Sequence, residues 1–305
     1  MAKPENITAL ETKRRVMERV AYEVFGQGQT EAVEELAAPD FVDHDPMPGN
    51  TPDRDGFKRV VELFRGGFSD LEIELPHTIV DGDKVLGHIR LSGTHDGEFM
   101  GVPPTGKHVD AAAIVIARLG PDRRIAELWQ RVGAMQLMQQ IGVIPGWEEP
   151  PPVPPVPLVE GGRQTTPDEN KAIVTRQAAV WNDGDERVAD EIFHPQAVSP
   201  DAPQLPPGPD GCKVAARIFR DAFPDFRIVA EDVLAEDDLV ACRFRQTGTH
   251  EGELFGIPPT GRSVDFGEIA ICQVADAKIV ASWFQTDMLT LMSQLGVGQQ
   301  QTTTA

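Results

Sequence analysis

Basic residues are scarce in this chain. Twenty-eight Lys and Arg stand against 48 Asp and Glu in 305 residues, a formal net charge of −20. A phosphate backbone needs a basic face, so nucleic acid is not an expected partner. Acidity of this kind reports solubility rather than a cationic ligand. Cysteine is nearly absent too. Cys212, Cys242 and Cys272 all fall in the second half, and none forms a C-x-x-C. They are expected to be small buried hydrophobes, not a disulfide or metal framework. No apolar run approaches the roughly 18 residues of a membrane span, and the opening MAKPENITALETKRR has no apolar signal core. These absences predict a soluble cytoplasmic protein with no membrane partner.

What the chain does have is a repeat. Residues 93–106 read GTHDGEFMGVPPTG and residues 248–261 read GTHEGELFGIPPTG, ten of fourteen positions identical at an offset of 155. The match continues upstream, where Phe68-Ser69-Asp70-Leu71 answers Phe223-Pro224-Asp225-Phe226. Downstream, Arg124-Ile125 and Trp129 answer Lys278-Ile279 and Trp283 after a one-residue deletion. Self-similarity on this scale means two copies of one domain. The expected boundaries are 1–147 for the first domain and 168–298 for the second. A proline-rich linker, 148–167, lies between them, and 299–305 is a disordered tail. Six prolines within residues 149–157 favour an extended polyproline II spacer.

Within the first copy, Val16, Val20 and Val24 recur at helical spacing and predict a helix over 9–25. Thr30 fits the N-cap of a second helix ending at Leu36. A loop follows over 41–50, and residues 53–64 form a third helix. The period then changes to two over 71–80, 84–92, 109–119 and 125–132, which predicts four strands. The second copy repeats the plan, with helices over 168–181, 186–193 and 210–222 and strands near 226–235, 239–246, 263–274 and 279–285. Helices followed by an antiparallel meander and a short closing helix make an α+β fold. A curved sheet wrapped on helices encloses a cone, whose interior is a ready pocket.

The string G-T-H-x-G-E-x-x-G-[VI]-P-P-T-G is followed by a strand, then [RK]-I-x-x-x-W and a helix ending Gln-[IL]-Gly. In this it resembles the SnoaL-like polyketide cyclases (ester cyclases), and the resemblance covers nearly all of both copies. It implies the nuclear transport factor 2-like fold: two tandem cone-shaped barrels of helices on a curved antiparallel sheet. It also implies cofactor-independent acid/base chemistry on a small hydrophobic substrate, with aldol ring closure as the reaction. Domains of this fold pair through their sheets, so the copies are expected to form an intramolecular pseudo-dimer, with further homo-oligomerisation left open. The same fold hosts epoxide hydrolases, cofactor-free hydroxylases and plain binding modules, so the reaction has to be argued from the site.

In the family an acidic residue after the tryptophan serves as general acid/base. Here W-x-x-x-D survives only as Trp283…Asp287, because the first copy reads Trp129…Gly133. Alternation along a strand would place Trp283, Gln285 and Asp287 on one cone wall. Asp287 is the leading catalytic candidate, although Asp is also a favoured helix N-cap. His250, the second catalytic candidate, and His95 are read either as a polar group at the cone mouth or as a histidine fixing the G-x-P-P-T-G turn. Glu268, on an apolar strand where the first copy has Ala113, either faces the cone or alternates toward solvent. His44, in Asp43-His44-Asp45, is a cavity-lining candidate, and metal binding there is a weak signal. Trp129 and Phe255 complete the substrate-contacting candidates. No metal and no cofactor is expected.

Overall fold

The computed structural model describes residues 4–144, 152–159 and 162–297, with side chains from residue 9 onward. The expected tail, 299–305, and linker residues 148–151 and 160–161 lie outside the described residues. The chain divides into two compact units, Met1–Glu149 and Pro150–Ala305. Among the described residues no helix is long and apolar enough to cross a membrane.

In the first unit α1 (Pro4–Arg19) widens into a π turn over Val20–Gly26, then come α2 (Val33–Leu36) and α3 (Arg54–Gly67). Strands β1 (Ala37–Asp43), β2 (Glu72–Asp81), β3 (Lys84–Thr94), β4 (His108–Leu119) and β5 (Ile125–Val132) precede α4 (Ala134–Ile141). The second unit carries α5 (Pro167–Thr175), α6 (Ala178–Asp183), α7 (Glu186–Ile192), β6 (Phe193–Val198) and α8 (Pro209–Ala222). It closes with β7 (Arg227–Glu236), β8 (Leu239–Thr249), β9 (Ser263–Ala275), β10 (Lys278–Thr286) and α9 (Met288–Leu295). Each unit is thus the expected α+β cone of helices packed on a sheet, with five strands in place of the four expected.

The strand orders are β1-β5-β4-β3-β2 and β6-β10-β9-β8-β7. The outermost strands, β1 and β6, run parallel to β5 and β10. The sheets are therefore mixed, not the four-stranded antiparallel meanders expected. The missed strand is short and carries Pro39 or Pro195, and its pairing partner lies more than 80 residues away in sequence, so no local period marks it. Two helix expectations also change. The single helix over 168–181 is broken into α5 and α6. Thr30 caps nothing, because it opens a 3-10 turn whose N-cap position is Gln29. Asp53 does cap α3, accepting the Gly56 N–H at 2.9 Å.

The core of each unit lies between the helices and one face of its sheet. In the second unit Val240, Cys242 and Phe244 of β8 and Val264, Phe266, Ala270, Cys272 and Val274 of β9 form this face. They meet Val174, Val180, Ala189, Ile192 and Ala216 from the helices. Cys242 and Cys272 are free and buried, as expected of small hydrophobes. The closing helix is clamped in the same way in both copies. Gln140 accepts the Asp110 N–H at 3.0 Å and donates to the Asp110 carbonyl at 2.9 Å. Gln294 makes the same pair with Asp265 at 2.8 Å each. Gly142 (φ +88°) and Gly296 (φ +83°) then end these helices in the left-handed region.

The repeated block is explained by steric need. Its fifth residue, Gly97 or Gly252, lies against a carbonyl in the last turn of α3 or α8. An added Cβ would stand 1.8 Å from the Gly66 carbonyl oxygen, or 2.0 Å from that of Asp221. Gly97→Ala is expected to lower stability by about 1–3 kcal/mol through overpacking. Gly66→Ala, in helix α3 with open space around its added Cβ, is expected to raise it by up to about 1 kcal/mol. Urea unfolding midpoints of the two variants, moving in opposite directions, check both.

Candidate active site

The pleat decides which side chains enter the cone. Along β9 the inward positions run Val264, Phe266, 268, Ala270 and Cys272, so Glu268 points into the core. On β8 the inward row of Val240, Cys242 and Phe244 continues to Gln246. On β10, Phe284 lies opposite Ala270 and Thr286 opposite Glu268, and residues directly opposite share a face. Three polar side chains therefore converge on the cone side of the sheet, Gln246 buried and Glu268 and Thr286 half-buried. Glu268 Oε2 accepts from Gln246 Nε2 at 3.0 Å and from Thr286 Oγ1 at 2.7 Å. Neither bond falls on Oε1. Burial pushes the Glu268 carboxyl above the usual carboxylate range, and the bonds from Thr286 and Gln246 offset only part of that.

The first unit shows that the fold does not need this group. The same three positions hold Leu91, Ala113 and Val132, all apolar. A buried carboxyl costs free energy unless it is hydrogen-bonded. An ionisable group kept in one copy and absent from its twin is a candidate for chemistry. Of the two readings open for Glu268 in the sequence, the inward one is correct.

Asp287 sits at the end of β10, next to Thr286. Its Oδ1 accepts the Thr290 N–H at 3.0 Å and caps α9. Its own N–H donates to the Gly267 carbonyl at 2.9 Å. Gly133 makes the matching backbone bond in the first unit, to the Ala112 carbonyl at 2.8 Å, with no side-chain cap.

The expectation that Trp283 and Gln285 line the cone is corrected. Trp283 pairs with Ile271, off the helix-packed face, and Gln285 has the same parity. Gln285 Nε2 instead reaches Asp201 Oδ2 at 3.4 Å. A shift of one residue along a strand moves every side chain to the other face. Trp129 and His44 are corrected for the same reason. They stack with ring centroids 4.7 Å apart, and His44 Nε2 lies 3.0 Å from Glu127 Oε2, on the face of β5 opposite Leu128 and Gln130. His44 is 39% exposed there and does not line the cavity.

His95 and His250 are fully buried and do not stand at a mouth. His95 Nδ1 accepts the Thr105 N–H at 3.3 Å, and His250 Nδ1 accepts the Thr260 N–H at 3.2 Å. Their carbonyls accept further N–H groups from the same P-P-T-G turn, Gly106 at 2.9 Å and Gly261 at 2.8 Å. Burial lowers the His250 pKa. These histidines fix the repeated loop. Phe255 occupies the tip of a tight turn, with φ +51° followed by Gly256 at +80°. Its ring is 45% exposed and meets Phe219 of α8 edge-on at 6.3 Å.

Sequence reasoning missed Gln246 and Thr286 in the second unit. It also missed Asp43 and Gln130 as partners in the first, where Gln130 Nε2 donates to Asp43 Oδ2 at 2.7 Å. Comparing the copies only at inward positions would have found the first two. Asp43 was hidden because β1 was not recognised as a strand. Among the described residues no three His, Cys, Asp or Glu gather to hold a metal ion.

The sequence profile described as SnoaL-like polyketide cyclase matches residues 15–141 and 171–295. No curated protein matches the chain. Among solved structures, TsrD from Streptomyces laurentii is 28% identical, covering 44% of this chain and 99% of its own, with a TM-score of 0.42. AclR from Streptomyces galilaeus, which carries a hydroxylase designation, is 30% identical over 43% of this chain and 83% of its own, TM-score 0.39. IdmH from Streptomyces antibioticus, which carries a polyketide cyclase designation, is 31% identical over 42% and 99%, TM-score 0.37. With both halves matched by one profile and both folded as helices on a curved five-stranded sheet, this chain belongs to the SnoaL-like polyketide cyclase family.

Proposed function

We propose that the second unit is a cofactor-independent acid/base enzyme acting on a small apolar carbonyl compound, with intramolecular aldol closure as its reaction. The observation that carries this reading is the inward Glu268 carboxyl, hydrogen-bonded on Oε2 alone in an otherwise apolar cone. Gln246 and Thr286 hold Oε2, so Oε1 is the atom left to exchange a proton with a bound compound. A carboxyl raised by burial is suited to taking and returning protons near neutral pH. As carboxylate it takes a proton from the carbon next to a carbonyl. The electron pair left on that carbon attacks a second carbonyl carbon of the same molecule. The alkoxide formed takes a proton back from the Glu268 carboxyl, so no co-reactant is consumed. Asp287 is a positioning residue in this scheme, because its cap fixes the end of β10 and with it Thr286.

Glu268→Gln keeps the shape and the partners of Glu268. It is expected to lower kcat/KM by about 10²–10⁴-fold while circular dichroism stays unchanged. Asp287→Asn retains a good N-cap and is expected to keep activity within a few-fold. The reverse pattern, with Asp287→Asn inactive and Glu268→Gln active, would move the proton to Asp287 and sink the assignment to Glu268.

The same carboxyl makes a stability prediction. Its folded pKa is raised above the unfolded value, so its contribution to stability is fully present only below the unfolded value. The wild type loses stability as pH rises through the folded value. The Tm of Glu268→Gln relative to wild type is therefore expected to become more favourable as pH rises above the ordinary carboxylate range. A pH-independent Tm difference would contradict the raised pKa.

A further inference from the structure

The first unit has its own inward carboxyl, at a different place. Asp43 ends β1 with the parity of Phe41, a core residue of that unit, and is 3% exposed. Gln130, on β5 opposite Val115 and in line with Leu128, is 7% exposed and donates to Asp43 Oδ2 at 2.7 Å. The Asp45 N–H donates to Asp43 Oδ1 at 2.9 Å.

The second unit again serves as the control. Asp45 accepts the Gln130 N–H at 3.1 Å, and Asp201 accepts the Phe284 N–H at 2.8 Å. These bonds align Asp43 with Ser199 and Gln130 with Phe284. Ser199 needs only the Ser282 hydroxyl, 3.1 Å away. The strand and its loop thus form with a serine in the place of Asp43, and the loop's own carboxyl–amide contact, Gln285 to Asp201 at 3.4 Å, lies off the cone face. Each cone carries one inward carboxyl–amide pair, and each lacks the other's. If the pairs served folding, they would be expected at the same positions in both copies.

We infer that the first unit is a second acid/base site, built on Asp43 and Gln130, for a small apolar carbonyl compound. The compound class rests on the function proposed for the second unit; the site itself does not. The Asp43 carboxylate takes a proton from the carbon next to the carbonyl, and the electron pair moves into the carbonyl to give an enolate. The carboxyl then returns a proton to that carbon, so the step balances without a co-reactant. Burial, with the Asp45 charge adding to it, pushes the Asp43 carboxyl up to about 6, while the bonds from Asp45 N–H and Gln130 and the nearby His44 oppose the rise. Asp45 is itself paired with Arg131 at 2.5 Å. The loop that leaves Asp43 borders a pocket of about 400 Å³, lined by Met47, Asn50, Arg59, Leu63 and Met100 among others.

The test uses the full chain with ¹³C-labelled aspartate and 2-tetralone, an apolar ketone with exchangeable protons next to its carbonyl. Addition of 2-tetralone is expected to move the Asp43 carboxyl resonance in wild type and in Glu268→Gln alike. Hydrogen–deuterium exchange of 2-tetralone is expected to persist in Glu268→Gln with a pH limb near 6. Adding Asp43→Asn should lower it about ten-fold or more and remove that limb. Asn still accepts the Asp45 N–H, so the turn is retained. An Asp43 resonance unmoved by saturating 2-tetralone overturns the inference. So does exchange that Asp43→Asn leaves unchanged, or binding at Asp43 with no exchange in wild type. Failure of the Glu268 assignment reads differently, as wild-type exchange rates in the Glu268→Gln single variant.

Discussion

The pleat of two curved sheets governs everything placed inside this protein. Successive side chains point to opposite faces, so each strand offers the cone only alternate residues. That rule sends Glu268 inward and Trp283 away from it, although both lie on strands of one sheet. It also pairs Glu268 with Thr286 directly across the ladder, where a hydroxyl can reach the carboxyl. Antiparallel registry is thus what turns three separate polar residues into one hydrogen-bonded group.

A second constraint acts on whatever the pleat brings in. The cone is apolar, and a carboxyl there must be hydrogen-bonded and is driven toward its neutral form. Both units meet this condition with an amide donor, Gln246 in one and Gln130 in the other. They meet it on different strands, and the corresponding positions of the other unit hold Leu91, Ala113 and Val132, or Ser199 and Phe284. Each cone carries a different polar pair on the same frame. The duplicated fold thus serves as its own mutational control.

The frame survives because its fixtures do not depend on the cone interior. A buried histidine ties the P-P-T-G turn, a glycine admits a carbonyl of α3 or α8, and a glutamine clamps the closing helix. All three recur in both units, and all three are backbone-directed. Such contacts specify a loop and a helix position whatever side chains fill the cavity, and the histidine and the glycine lie in the most similar stretch of the two copies.

The sequence by itself determined the duplication, the fold and the family. Those rest on local strings and on periods of two and 3.6, and each is legible one segment at a time. The inward row of β9 was legible as an apolar strand interrupted by Glu268. Which face that row took was not, because parity is fixed only when a strand pairs with its neighbours and packs on helices. β1 was invisible for a related reason, since it is a short strand that pairs with β5 from more than 80 residues away. Only the tertiary structure therefore decided that Trp129, Trp283, Gln285 and His44 lie off the cone face. It alone joined Glu268 to Gln246 and Thr286, and Asp43 to Gln130, because each group assembles from strands that meet only in the folded sheet.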